Sequence, residues 1–273
     1  MRRIFVFVMA LCSVAMVAAK GGEPMVMKAV KSNLHFTKVA AAPAIKLYVE
    51  DRAEGNIIIR ASKSVIDDVK LEVIDNELTV SYGKDMDFNR KNGQSFAEVY
   101  IPYNGRLSGF TAAVASIIEV APTLNAKRLE VSCVGASVVT LKAVAESAKI
   151  EAVGASSVTA DIVCTKLDCE LAGASKATIT GSATKAEVEV VGASTLKADE
   201  LKVSQLEADI AGASKAEMCA EMADIEVSGA SNAEIECTTL LKADATGSST
   251  IRYSGGCRVD IEKNSGASTI KKR

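Results

Sequence analysis

The tripeptide Gly-Ala-Ser returns about once every nineteen residues through the second half of the chain, and this period limits the possible folds more than any other feature. It stands at Gly135-Ala136-Ser137, Gly154-Ala155-Ser156, Gly173-Ala174-Ser175, Gly192-Ala193-Ser194, Gly212-Ala213-Ser214, Gly229-Ala230-Ser231 and Gly266-Ala267-Ser268. One copy is altered, to Gly247-Ser248-Ser249. The intervals between successive glycines are 19, 19, 19, 20, 17, 18 and 19 residues. A period this regular marks stacked repeats, in which each unit leaves an apolar edge that only its neighbour covers.

Within a repeat the apolar residues alternate. At six, four and two residues before the glycine stand Leu129, Val131 and Cys133, then Leu167, Cys169 and Leu171, then Ala186, Val188 and Val190. The residues between them are charged, as in Asp168 and Glu170, Glu187 and Glu189, or Glu207 and Asp209. A second alternating run follows each glycine, as in Val139 and Leu141 or Val158 and Ala160. Period two is the pattern of a half-buried strand, and the i, i+3, i+4, i+7 spacing of an amphipathic helix is not kept. Each repeat therefore reads as strand, corner, strand and a short return.

Nineteen residues at about 3.3 Å each trace roughly 60 Å, which suits one turn of a coil stacked about 4.8 Å from the next. The expected fold is all-β: a right-handed single-stranded parallel β-helix with coils of about nineteen residues. Small corner residues let the backbone bend tightly. Pleat parity points the corner serines inward with the apolar set. Two readings of them stand side by side: a stacked ladder of hydroxyls, or single hydroxyls satisfying corner backbone groups.

Residues 1–19 read as a secretory signal, with Arg2-Arg3, an apolar run from Ile4 to Val17, and small residues before Lys20. Residues 20–31 read as a linker and 32–273 as a single β-helix domain, with 32–102 forming irregular early coils or a β cap and 103–273 the regular coils. No later segment is apolar for long enough to make a transmembrane helix. Formal net charge is −2 and becomes −4 once Arg2 and Arg3 leave with the leader. Acidic and basic residues alternate along the outward positions, so no basic stripe offers itself to nucleic acid.

Six cysteines follow the leader: Cys133, Cys164, Cys169, Cys219, Cys237 and Cys257. Export permits disulfides, while Cys133 and Cys169 occupy inward positions where a thiol behaves as a small apolar group. The spacing of Cys219 and Cys237, one coil apart, allows a bridge, but the expectation for the six is buried thiols rather than disulfides. The Cys164–Cys169 spacing, without a nearby histidine, does not make a zinc site.

Five short strands are expected between Leu34 and Tyr82, and another over Phe96–Ile101, ended by Pro102. Gly83–Ser95 is polar and reads as an exposed loop long enough to be functional. Ala113-Val114-Ala115-Ser116 reads as a degenerate first corner with Val in the glycine position.

These features together resemble the bacterial head GIN domain family, described as auto-transporter adhesin heads. The resemblance begins at Phe36-Thr37-Lys38-Val39 and Ile45-Lys46-Leu47-Tyr48-Val49. It runs through Val69-Lys70-Leu71-Glu72-Val73 and Val99-Tyr100-Ile101-Pro102 into the Gly-Ala-Ser coils, so it spans nearly all of the chain after the leader. The namesake tripeptide of that family falls near Ala44-Ile45-Lys46, which differs from it. The resemblance implies an exported β-helical protein of bacterial envelopes with a proposed role in adhesion, and carries over no catalytic residues.

The residues themselves offer little chemistry. His35 is the single histidine, so any Ser-His-Asp or Cys-His arrangement would have to be built around it. No nucleophile elbow, phosphate loop or dinucleotide fingerprint occurs. The carboxylates Glu187, Glu189, Glu207 and Asp209 could in principle flank a glycosidic bond, as two-carboxylate chemistry requires. Against that reading, the chain has no Trp, and from Leu129 onward its only aromatic residue is Tyr253. The expectation is a non-enzymatic envelope protein, exported to the periplasm, outer membrane or cell surface. It would use one long face or the Gly83–Ser95 loop to engage a protein or extracellular polymer, with no cofactor and no metal. The alternatives are a polysaccharide lyase or glycosidase on the same scaffold, and a structural spacer.

Overall fold

A computed structural model describes residues 10–11, 24–31, 35–52, 55–83, 97–103 and 105–273. No helix occurs among them, and the strands build a parallel β-solenoid of about nine turns. Ala10–Leu11 (β1) lies antiparallel to Met25–Val30 (β2). Next come Lys38–Ala41 (β3), Ile45–Glu50 (β4), Ile57–Ser62 (β5), Val69–Ile74 (β6), Glu77–Tyr82 (β7), Ala97–Pro102 (β8) and Gly109–Ala113 (β9). Seven long strands follow: Ile117–Gly135 (β10), Val138–Gly154 (β11), Ser157–Gly173 (β12), Lys176–Val190 (β13), Thr195–Ile210 (β14), Lys215–Val227 (β15) and Asn232–Ala245 (β16). Thr250–Ser254 (β17), Arg258–Asn264 (β18) and Thr269–Lys272 (β19) complete the stack.

Each long strand is one coil bent around a thin apolar core. From β10 to β16 every coil pairs in parallel with the next, residue by residue, as in Val138 with Ser157 and Gly154 with Gly173. The alternating residues read from the sequence are the buried ones. Leu129, Leu167, Cys169, Val190, Ile225 and Leu241 have at most 1% of their surface exposed. Alternation breaks at a second bend, where pairing skips Glu146 opposite Thr165 and both residues face solvent.

From β10 to β16 the unequal repeat lengths are absorbed at one place. Register shifts there fall at Glu119/Thr123, Thr178/Gly181, Ala198/Val203 and Ala220/Met222, in the bend after the first strand segment of a coil. One more, at Ala243/Asp244 between β16 and β18, lies in the strand leading into the last corner. From β10 to β16 the corner and the strand leading into it keep their register, because a slip there would turn the buried set outward.

The N-terminal coils do not stack in chain order. β3 and β4 pair in parallel with β9 and β10 on one side and with β7 and β8 on the other, so the coil 38–50 lies between two later ones. β2, β5 and β6 are antiparallel additions, with β2 on β5, β5 on β8 and β6 on β7. The described strands β3 to β8 thus mix parallel coil pairings with antiparallel additions. The linker expected over 20–31 is corrected for Met25–Val30, which is a strand because Val26 and Val30 bury 93% and 97% of their surface against the core. The proposed signal lies outside the described residues except for Ala10–Leu11, and so does the loop expected at Gly83–Ser95 beyond Gly83.

Candidate functional site

The corners form one edge of the solenoid. Gly135, Gly154, Gly173, Gly192, Gly212, Gly229, Gly247 and Gly266 all have positive φ, between 75° and 88°. The corners press backbone on backbone: a Cβ on Gly192, Gly212 or Gly229 would stand 2.5 Å from the carbonyl oxygen of the glycine below. In the first corner Val114 and Ala115 hold φ of 45° and 59° without glycine, and Ala44, within the tripeptide that departs from the family pattern, holds 58°.

The corner serines Ser137, Ser156, Ser175, Ser194, Ser214, Ser231 and Ser249 are buried, as is Ser116 of the degenerate corner; Ser268 in the last coil is half-buried. Their hydroxyls mainly meet backbone carbonyls. Ser156 donates to Val153 O at 2.8 Å, Ser194 to Val191 O at 2.9 Å, and Ser175 has Ala172 O and Ala152 O of the coil below both at 2.8 Å. One hydroxyl–hydroxyl contact is found, Ser175 to Ser194 at 3.3 Å. Backbone satisfaction is therefore the main role of the column, since an unpaired buried carbonyl costs more than one hydrogen bond contributes.

The strand leading into each corner sets the electrostatic character of an adjoining face. Acidic and basic residues are mixed along the chain, but in-register stacking sorts them into columns. One column runs Lys149, Asp168, Glu187, Glu207, Asp224, Lys242, and its neighbour runs Glu151, Glu170, Glu189, Asp209, Glu226, Asp244. Ten of these twelve positions are carboxylates. The lysines at the two ends of the first column are ion-paired. Lys149 reaches Glu170 at 2.9 Å and Glu151 at 3.1 Å, and Lys242 reaches Asp224 at 3.6 Å. The hydrogen bonds that Lys149 donates to Glu170 and then Glu151 push its ammonium well above its ordinary range. Asp244 carries one oxygen, Oδ1, that is buried with no hydrogen-bond partner among the described residues.

The carboxylates considered for sugar chemistry all lie on this face. Glu187 is opposite Glu207, Glu189 is opposite Asp209, and Glu187 is paired with Lys166 at 3.0 Å. Glu187 and Glu207 belong to one of the two columns and Glu189 and Asp209 to the other. His35 is exposed. Among the described residues no group of three or more His, Cys, Asp or Glu is arranged to hold a metal ion. No helix there is long and apolar enough to cross a membrane, which says nothing of β-barrels.

Two features escape the sequence reading. Tyr48 and Tyr100 face each other in register on β4 and β8, with ring centroids 5.0 Å apart and planes at 17°. Tyr100 donates to Glu98 at 3.0 Å, and Glu98 also meets Arg60 at 3.2 Å. Partial burial, followed by the nearby carboxylates, raises the Tyr48 phenol, and burial with the Glu98 hydrogen bond raises that of Tyr100. The second feature corrects the approach of Cys219 and Cys237 that their spacing allowed. Cys219 lies opposite Glu236 on the outer face and Cys237 opposite Ala220 on the inner one, so pleat parity separates them. Parity counted from the glycines would have revealed this, since Cys219 is seven residues past Gly212 and Cys237 eight past Gly229.

The fold is shared with solved structures. A structure described as a "putative adhesin" from Parabacteroides distasonis aligns with TM-score 0.70 at 17% identity, over 93% of this chain and 98% of that one. One from Parabacteroides merdae, described in the same words, gives 0.70 and 17% over 93% and 97%. A Parabacteroides distasonis structure described as a "putative lipid binding protein" gives 0.69 and 15% over 93% and 98%. No curated protein matches the chain. Residues 35–223, which span the mixed N-terminal coils and the Gly-Ala-Ser coils as far as β15, match the family described as "Putative auto-transporter adhesin, head GIN domain", and the chain belongs to that family.

Proposed function

We propose that this chain is an exported, non-enzymatic, adhesin-like protein of the bacterial envelope that binds a protein or extracellular polymer along the length of its solenoid. The observation that carries this reading is the in-register stacking of outward side chains, which repeats the same chemistry coil after coil at roughly the β-sheet spacing. A surface of that kind binds an extended partner by many weak, equivalent contacts whose strengths multiply. The family assignment supports the same role.

The test combines location with binding. On intact cells, added protease should degrade the protein if it is displayed at the surface. Purified protein should adhere to host-matrix or bacterial-surface material, and Asp168→Lys, Glu187→Lys and Glu207→Lys together should abolish adherence without changing the β-sheet circular dichroism. Adherence unchanged in that variant but lost on deleting residues 84–95 would move the site to that loop. Cleavage of acidic polysaccharides that disappears with Glu187→Gln or Glu207→Gln would replace this reading with the enzymatic one.

A further inference from the structure

In the last coils β16 is covered by two shorter strands, β17 and β18, with a three-residue bend between the registers Glu236 with Ser254 and Leu240 with Arg258. The lower bend is Cys237-Thr238-Thr239 and the upper one Gly255-Gly256-Cys257. Cys237 is fully buried, with Sγ 3.2 Å from the Leu240 carbonyl oxygen and 3.4 Å from that of Glu221. Cys257 is half-buried against the same core. Gly255 has φ of 94°, and a Cβ on it would stand 2.1 Å from the Cys237 carbonyl oxygen, so the upper bend is pressed directly onto the lower. Burial first, then the neighbouring Cys257, pushes the Cys237 thiol up to about 11.

We propose that Cys237 and Cys257 are a disulfide site that fastens the last coils to the body of the solenoid. Cys237 lies beneath Gly255, and Cys257 follows two residues later in the bend stacked on it, with both side chains packed on the same core; the bond requires the two Cα atoms within about 4.4–6.8 Å of each other. The remaining cysteines lack such a neighbour. Cys164 faces Ala145 and Ala183, Cys169 faces Ile150 and Val188, Cys133 faces Ala112 and Ala152, and Cys219 faces Glu236.

The bond forms by exchange with an external disulfide, either a small-molecule disulfide such as oxidised glutathione or the disulfide of a thiol oxidase. The Cys257 thiolate, on the more exposed side chain, attacks one sulfur of the oxidant, giving a mixed disulfide and releasing the first thiol. Cys237 loses its proton and attacks the Cys257 sulfur, closing the bond and releasing the second thiol. The protein gives up two electrons and two protons, and one disulfide of the oxidant becomes two thiols.

The proposal rests on the exported reading only for an oxidising environment in the cell, and a glutathione titration of the purified chain tests the pair without it. Protein lacking residues 1–19 is equilibrated across ratios of reduced to oxidised glutathione, then denatured, alkylated and mapped by mass spectrometry. The expected result is one linked peptide pair containing Cys237 and Cys257, with the other four cysteines alkylated. The melting temperature should rise by roughly 5–10 °C over the reduced protein. Cys257→Ser, at a half-exposed position, should abolish the linkage and the shift, whereas Cys219→Ser should leave both. Six alkylated cysteines at every ratio, or a linkage through Cys219, would overturn the proposal.

Discussion

Gly192 lies on Gly173 so closely that a Cβ added to the upper residue would stand 2.5 Å from the carbonyl oxygen of the lower. With φ of 87°, Gly192 also occupies a backbone region that side chains make costly. Gly192→Ala should therefore destabilise the protein by at least about 2 kcal/mol in denaturant unfolding. Gly256→Ala, where no heavy atom lies within 4 Å, should change stability by less than about 1 kcal/mol.

The first corner lacks the glycine that the others have. Val114 holds φ of 45°, where a β-branched residue is strained, and its side chain is exposed. Val114→Gly should stabilise the fold by roughly 1 kcal/mol, relief of strain outweighing the added freedom of the unfolded chain. A lower unfolding midpoint in urea would show that the corner is not strained.

Ser175 places its hydroxyl 2.8 Å from two carbonyl oxygens of different coils while fully buried. Ser175→Ala should cost about 1–2 kcal/mol by leaving a buried carbonyl under-satisfied, and Ser175→Val more, through overpacking. Hydrogen exchange should locate the loss of protection in the coils around 154–194.

Cys169 is a fully buried thiol that burial, followed by Asp168 and Glu170, pushes up to about 12. The folded state keeps this proton at pH values where the unfolded chain has lost it. Its contribution is thus complete below about pH 9 and is lost as pH rises toward 12. The slope should be on the order of 1.4 kcal/mol per pH unit in that window. Cys169→Ala should remove that part of the alkaline dependence, read as the change of unfolding midpoint between pH 8 and 10.5.

Lys149 stands among Glu151, Asp168 and Glu170 at one end of the acidic face. Lys149→Glu should lower the melting temperature at low ionic strength, and 0.5–1 M NaCl should restore most of the loss, because these groups are exposed enough for salt to screen them. A loss that salt does not restore would mean that Lys149 acts by packing its stem.

Much of the fold was legible in the repeats. Gly-Ala-Ser spacing gave the coil length, and parity from each glycine gave the buried face, including the inward serines. The same counting held the Cys219–Cys237 correction in plain sight. The acidic face was legible only in part: Glu187 and Glu207 were visible as charged positions, but their alignment into a column needed the coil-to-coil register. Tyr48 and Tyr100 stand 52 residues apart in sequence, and no local pattern announces their stacking.

By itself, then, the sequence determined that the chain coils, how long each coil is and which side chains turn inward. These are local matters, fixed by the two-residue period of a strand and the few residues that tolerate a tight corner. Only the tertiary structure decided that the coil 38–50 lies between β7 and β8 on one side and β9 and β10 on the other, that carboxylates collect in columns, and that the bend holding Cys257 stacks on the bend holding Cys237. Every strand edge offers the same row of amide and carbonyl groups. The choice of neighbour is therefore made by packing across the whole molecule, and no short stretch of sequence contains it.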